Sequence, residues 1–303
     1  KGSISTDNLN ADAEVISVFV SSEVTQGMIE ALPKLKLIAC RSTGFNNIDM
    51  DTAKERGISV VNVPTYGEHT VAEYTLGLML ALTRKIIQGA AQPQTDSSKS
   101  EHIRGVDLHG KTLGIIGLGK IGRNVAELAQ AFGMHVVAHD PHASNIPEDI
   151  TMMDLRALAD EADIVSLHAP LTDETRHIVD TSFLEQMQDS AYLINTARGE
   201  LVDTTALVSA LKSEEIAGAA LDVLEDEKLM NIHEEELLLR RGAATPELLE
   251  HIIAGTVLMH LPNTIVTGHN AYNTVEALRR INQTTLANIK QYLAGTIQNE
   301  VHV

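Results

Sequence analysis

Residues 111–140 read K-T-L-G-I-I-G-L-G-K-I-G-R-N-V-A-E-L-A-Q-A-F-G-M-H-V-V-A-H-D. The apolar run 112–116 suits a buried parallel strand. Gly117, Gly119 and Gly122 follow as G-x-G-x-x-G, and Ile121, Val125, Leu128 and Phe132 recur at helical spacing behind them. A second apolar run, 135–138, leads to Asp140, eighteen residues after Gly122 (140 − 122). Each part has a chemical reason. The first glycine permits a tight turn, the second lets a pyrophosphate approach the backbone, and the third allows close helix–strand packing. The helix N-terminus, with Lys120 and Ile121 in its first turn, offers free N–H groups and a positive dipole end to phosphates. An acid about 20 residues on can hydrogen-bond an adenosine ribose. Strand, glycines, helix, strand and acid in this order predict a dinucleotide-binding unit.

The chain around this unit alternates in the same way. Upstream, 13–20, 35–42 and 58–63 read as strands, with helices predicted over 25–35 and 48–56. That alternation implies a parallel α/β sheet. Residues 68–86 read as one long helix with apolar positions on most faces, and 89–104 as a polar, breaker-rich connector. Downstream, 164–168, 191–196, 217–224 and 264–267 are further strands, with helices over 153–160, 181–187 and 203–212. Together with 112–116 and 135–138 they give six strands and a complete doubly wound domain. Residues 226–262 read as a lid with helical pieces, its acidic run Glu234–Glu236 a solvated helix start, and 273–293 as a final amphipathic helix. The expected fold is α/β: two Rossmann-like or flavodoxin-like doubly wound parallel-sheet domains with a cleft between them. The expected division is 1–87 plus 275–303 for a discontinuous substrate domain and 88–274 for the dinucleotide domain.

Composition excludes several classes. A net charge of −18, from 23 basic and 41 acidic residues, repels nucleic acid and anionic membranes. The single cysteine, Cys40, cannot form an internal disulfide; it ends an apolar run and reads as a buried structural thiol. No signal peptide or membrane-length apolar segment occurs, so a cytoplasmic location is expected. Neither H-E-x-x-H nor C-x-x-C spacing occurs, so no metal is expected.

Three stretches at strand C-termini carry chemistry. In N-T-A-R-G-E-L-V-D (195–203) Arg198 stands just beyond a buried strand, where a guanidinium can grip a carboxylate with two bonds and polarise the carbonyl beside it. A structural salt bridge is the competing explanation. A-L-D-V-L-E-D-E supplies Asp222, Glu225, Asp226 and Glu227, and T-G-H-N-A supplies His269. Hydride transfer to a ketone needs an acid for the developing alkoxide, and histidine beside a carboxylate serves. With 13 histidines in the chain, His135, His139 and His142 among them as bystanders, His269 alone would be undistinguished.

These residues and their surroundings resemble the D-isomer-specific 2-hydroxyacid dehydrogenases, nearest the D-lactate dehydrogenase-like subgroup. The resemblance rests on R-S-T-G-F-N-N-I-D (41–49), N-V-P-T-Y-G-E-H-T-V-A-E (62–73), H-G-K-T-L-G-I-I-G-L-G-K-I-G (109–122), H-A-P-L-T (168–172), N-T-A-R-G (195–199), A-A-L-D-V (219–223) and V-T-G-H-N-A (266–271). It implies NAD as cofactor and a catalytic trio of Arg198, Glu227 and His269. Glu227 is taken over Glu225 because the family's glutamate lies five residues after the aspartate matching Asp222. The resemblance further implies Ala169, Pro170 and Thr175 at the adenosine half and Thr196, Ala197, Arg198, Asp222 and His269 around the nicotinamide. Ser42, Thr43, Gly44, Tyr66, Arg198 and Tyr272 fall to the substrate, a small 2-oxo or 2-hydroxy acid, with pyruvate and D-lactate the first expectation. Another 2-oxo acid, or an NAD-sensing regulator without turnover, is the alternative. A homodimer is expected by the same resemblance. Two departures stand out: the family's usual proline before the catalytic histidine is Gly268, and the strand and helix that usually precede the segment 13–20 have no room in twelve residues.

Overall fold

Val15–Val18 (β1), Leu37–Cys40 (β2) and Ser59–Val61 (β3) are short runs rich in β-branched and aliphatic residues, and β2 is buried at all four positions. A strand buried on both faces needs helices on both, and that is how the sheet is built. The strands lie parallel in the order β1-β2-β3, in register Val15↔Leu37 and Leu37↔Ser59. Gln26–Glu30 (α1) and Met50–Glu55 (α2) sit in the crossovers; Thr25 and Asp49 cap them by accepting from Met28 N–H and Thr52 N–H. The first of these stops well short of the expected residue 35, just ahead of Pro33, which cannot continue a helix.

The computed structural model describes residues 10–19, 22–91, 103–227 and 245–301, and it divides into two units: residues 1–67 with 273–303, and residues 68–272. The expected acidic run at 234–236 and residues 228–244 of the expected lid lie outside the described residues.

In the larger unit Glu68–Thr83 (α3) is the expected long helix, but it ends three residues early. Lys85 takes a left-handed φ of +49°, Val106 N–H caps the Thr83 carbonyl, and the chain restarts as Ile86–Ala91 (α4). Part of the expected connector is therefore helical. Because α3 packs along Lys120–Ala131 (α5), it groups with the larger unit, and the division falls at residue 67 rather than 87.

The central sheet has seven parallel strands rather than six. They are Thr112–Ile116 (β4), His135–His139 (β5), Thr151–Met152 (β6), Ile164–Leu167 (β7), Tyr192–Asn195 (β8), Gly218–Leu221 (β9) and Thr264–Val266 (β10), in the order β10-β9-β8-β7-β4-β5-β6. The extra strand, β6, is two residues long and pairs β5 at Val137↔Thr151, too short to leave a periodic signal. Leu155–Glu161 (α6), Thr181–Gln186 (α7), Thr204–Lys212 (α8) and Pro246–Leu258 (α9) complete this unit. Two aliphatic cores fill its faces: Leu158, Val165, Leu193 and Leu207 in one, Met79, Leu113, Ile115 and Val125 in the other. Strand order reverses at β4, and an open α/β sheet holds its ligands beyond the strand C-termini at such a point.

The last helix, Val275–Leu293 (α10), returns to the smaller unit, where Ile289 and Tyr292 cover the second face of its sheet over Leu37, Ala39 and Val61.

Candidate active site

The glycine turn after β4 is built for a phosphate. Gly117 has φ +96°, and a Cβ there would stand 2.4 Å from Ala169 N; at Gly122 it would stand 2.2 Å from the Gly117 carbonyl oxygen. Those two positions are closed by neighbouring backbone. Gly119 is the opposite case: a Cβ built on it meets nothing within 4 Å, and as the N-cap of α5 it brings no side chain to the helix's first N–H groups. Open space over uncapped N–H groups fits a dinucleotide's pyrophosphate. Lys120 points its Nζ to within 3.5 Å of Glu68, and half-buried Ile121 follows it. At the end of β5 the Asp140 carboxylate accepts from Leu118 N–H (2.8 Å) and His142 N–H (2.9 Å), tying the glycine turn to the loop beyond β5. Arg123 fixes that loop by donating to the Ser144 and Asn145 carbonyls. Ala169, Pro170 and Thr175 meet in one turn after β7, where Thr175 Oγ1 donates to the Pro170 carbonyl at 2.6 Å. His168, beside them, is half-buried and hydrogen-bonded to Ser166, and desolvation pushes its pKa down to about 3, so it stays neutral.

Beyond β8, Asn195 folds the loop back on itself, donating to the Arg198 carbonyl (2.8 Å) and accepting from Ala197 N–H (3.0 Å). Thr196 is buried, and its hydroxyl lies 2.8 Å from Thr75 of α3. Since Thr75 donates to the Val71 carbonyl, Thr196 is the donor of that pair. Arg198 is bound only to the Ala197 carbonyl (2.7 Å), with no acid against it among the described residues. The salt-bridge explanation finds no partner among the described residues, and the half-buried guanidinium has donors left over.

Beyond β9, Asp222 is 1% exposed and holds the loop after β10 from three sides. Its carboxylate accepts from Thr267 Oγ1 (2.5 Å), Asn270 N–H (2.9 Å) and Ala271 N–H (2.8 Å), and its carbonyl accepts from His269 N–H (2.8 Å). These bonds hold the loop where Gly268 replaces a proline, and they keep His269 at a left-handed φ of +49°. Glu227, rather than Glu225 or Asp226, lies against the imidazole, with Oε1 2.6 Å from His269 Nδ1. An ionised carboxylate only accepts, so Nδ1 carries the proton and Nε2 is left to face a ligand. The Glu227 hydrogen bond, helped by the charges of Glu227 and Asp222, holds the His269 pKa above its ordinary 6.5 against the opposing pull of burial and Arg198. The Tyr272 ring stands edge-on to the imidazole, centroids 6.2 Å apart.

The larger unit thus gathers Arg198, Glu227 and His269 at one end of its sheet. The model of the D-isomer specific 2-hydroxyacid dehydrogenase NAD binding domain matches residues 76–271. The chain belongs to that family. It is an NAD-dependent D-2-hydroxyacid dehydrogenase. It is 40% identical over 288 residues to 2-hydroxyacid dehydrogenase homolog 1 of Schizosaccharomyces pombe, covering 92% of this chain and 83% of that one. It is 36% identical over 296 residues to the D-lactate dehydrogenase of Escherichia coli, covering 95% and 86%. Among solved structures it is similar to the Aquifex aeolicus D-lactate dehydrogenase complexed with NAD and lactic acid, with TM-score 0.81, 35% identity and coverage of 96% and 86%.

Ser42, Thr43, Gly44 and Tyr66 of this dehydrogenase belong to the smaller unit. There the carbonyls of the loop after β2 are all engaged: Ser42 by Val63 N–H, Thr43 by Asn62, and Gly44 by the Ser42 hydroxyl. The N–H groups of Thr43 and Gly44 have no acceptor among the described residues, an arrangement suited to a carboxylate, while the Ser42 N–H is taken up by the Cys40 sulfur. Cys40, beneath that loop, is buried, which pushes its thiol pKa up. Sequence reasoning did not find His177 and His251, which bond the acids next to Glu227. The signal available was the run of three adjacent acids at 225–227, which needs three partners. No helix among the described residues is long and apolar enough to cross a membrane.

Proposed function

We propose that the enzyme reduces pyruvate to D-lactate, and oxidises it in reverse, with Arg198, Glu227 and His269 as its catalytic residues. The observation that carries this reading is the His269–Glu227 pair at 2.6 Å beside a guanidinium with no acid partner among the described residues. NAD, when bound, supplies or takes up the hydride at the substrate's C2. Gly117, Gly119, Gly122, Lys120 and Ile121 would hold its pyrophosphate and Asp140 its adenosine ribose. Ala169, Pro170 and Thr175 would flank the adenosine, with Thr196, Ala197 and Asp222 near the nicotinamide.

Arg198 binds the 2-oxo acid's carboxylate and polarises its carbonyl, so charge developing on that oxygen meets a fixed cation. His269, protonated at both nitrogens, donates from Nε2 to the same oxygen as it becomes a hydroxyl. Glu227 keeps Nδ1 protonated and orients the ring, and the neutral imidazole then takes a proton back in the oxidative direction. Retention of all three groups argues against a regulator without turnover. A cytoplasmic homodimer goes with the reading, as the lone cysteine and the family resemblance suggest.

Loss of NADH absorbance with a panel of 2-oxo acids tests both activity and substrate. Pyruvate should be among the best; preference for a bulkier side chain would replace the substrate while keeping the chemistry. Arg198→Lys keeps the charge but loses the fork, so kcat/KM should drop about 10²-fold or more. Its NADH affinity and melting temperature should stay close to the parent's. Normal turnover by this variant would remove Arg198 from the mechanism.

A further inference from the structure

The acids 225–227 are three adjacent carboxylates, and each has its own imidazole. Glu225 Oε1 lies 2.7 Å from His177 Nε2, Asp226 Oδ2 lies 2.9 Å from His251 Nδ1, and Glu227 Oε1 lies 2.6 Å from His269 Nδ1. The three histidines come from three places: the turn after β7, the helix α9 and the loop after β10. Glu225 is 4% exposed and is bonded a second time by Thr204 Oγ1 (3.1 Å), while His251 Nε2 approaches its other side at 3.8 Å. His177 (φ +52°), Asp226 (+52°) and His269 (+49°) are three of the seven non-glycine residues with positive φ among the described residues. Backbone held in that region needs surroundings that over-determine it. Gly199 adds a further constraint: a Cβ on it would stand 2.1 Å from the Leu224 carbonyl carbon and 2.4 Å from Glu225 N, so the run is pressed against the Arg198 loop.

Three neighbouring carboxylates invite slippage, since any of them could seek the one imidazole that matters. We propose that His177 and His251 are positioning residues that fix the register of residues 225–227, so that Glu227 alone faces His269. The proposal rests on the reading of His269 and Glu227 above. His177 engages the acid two before Glu227 and His251 the acid one before, from different elements of the unit. Neither touches the reacting atoms. Each must donate, because an ionised carboxylate can only accept: His177 through Nε2, His251 through Nδ1.

That difference supplies the test. A glutamine amide reaches about as far as Nε2, and an asparagine amide about as far as Nδ1. The readout is the pKa of His269 by NMR in the whole protein, assigned with a His269→Ala control and independent of turnover. The charges facing this ring are Glu227, Asp222 and Arg198, with Tyr272 beside it, and none of them is altered. His177→Gln and His251→Asn should leave the His269 pKa near the parent's. His177→Asn and His251→Gln should lower it part or all of the way to the value in Glu227→Gln, and lower kcat for 2-oxo acid reduction while KM for NADH holds. Equal values in all four variants, whether high or low, would overturn the register proposal, because a merely structural histidine does not distinguish the two amides. A Glu227→Gln variant that leaves the His269 pKa in place would overturn the underlying pair itself, so the two failures are distinct.

Discussion

His269 is one of 13 histidines and one of three bonded to the acids 225–227; its partner is Glu227. Its pKa is held above 6.5 chiefly by the Glu227 hydrogen bond, and the sign of the pH dependence follows. Reduction needs imidazolium, so it is supported below the raised pKa and fades as pH rises through it; oxidation needs the neutral ring and gains over the same window. Glu227→Gln removes the main stabilising contact, so the falling limb for reduction should move to lower pH. A variant profile that overlays the parent's would break the coupling. Asp140 gives a second expectation. Its carboxylate already accepts two backbone N–H groups, which fix it without cancelling its charge, and that charge should repel a 2′-phosphate. Asp140→Ala should lose about 1.5–3 kcal/mol of NADH binding, the range for a charge-assisted hydrogen bond. Its preference over NADPH should narrow; equal affinity for both cofactors in the parent would deny Asp140 this role. The motifs made Arg198, His269 and Asp140 visible in the sequence. They did not reveal that Arg198 has no acid against it among the described residues, or that His177 and His251 bond the neighbouring acids, because tertiary pairing leaves no spacing to read.

Periodicity found the strands and most helices because each needs a run of apolar positions long enough to repeat. It missed β6, with two residues, and it ran α3 through to α4 because the break is a left-handed Lys85, a conformation lysine does not advertise. The smaller unit's helix α1 is likewise shorter than its pattern, stopped ahead of Pro33. Close contacts between elements are equally silent in sequence. The glycine of N-T-A-R-G is needed because the loop beyond β8 lies directly on the backbone beyond β9. Gly199→Ala would put a methyl 2.1 Å from the Leu224 carbonyl carbon, and backbone cannot rotate aside as a side chain can. Overpacking of this kind typically costs about 1–3 kcal/mol. Melting temperature and kcat should fall together, since Glu227 rides on the displaced segment. Gly268→Ala is the control: its methyl meets nothing within 4 Å, so it should behave like the parent. Equal behaviour of the two alanine variants would show that the contact at Gly199 does not constrain the site.

The whole chain carries −18, yet its substrate and cofactor are anions. Two fields compete at the site. Arg198 attracts over a few ångströms, where low exposure limits screening; the bulk charge repels over distances at which salt is effective. The Debye length falls from about 30 Å at 0.01 M to about 10 Å at 0.1 M, so added salt first removes the long-range repulsion and leaves the short contact largely intact. The kcat/KM for the 2-oxo acid should therefore rise by a few-fold between these ionic strengths, through KM rather than kcat, and level off above them. That is the reverse of the behaviour of an enzyme whose net field steers its substrate inward. The same screening should raise the melting temperature, because the ion pairs at the surface, such as Lys34–Asp12 and Lys36–Glu14, are exposed and little stability is lost when salt screens them. A kcat/KM that falls steadily with salt would mean that the local field of Arg198 already governs approach from a distance. The excess negative charge would then have to lie mainly away from the strand C-termini where Arg198 and His269 stand.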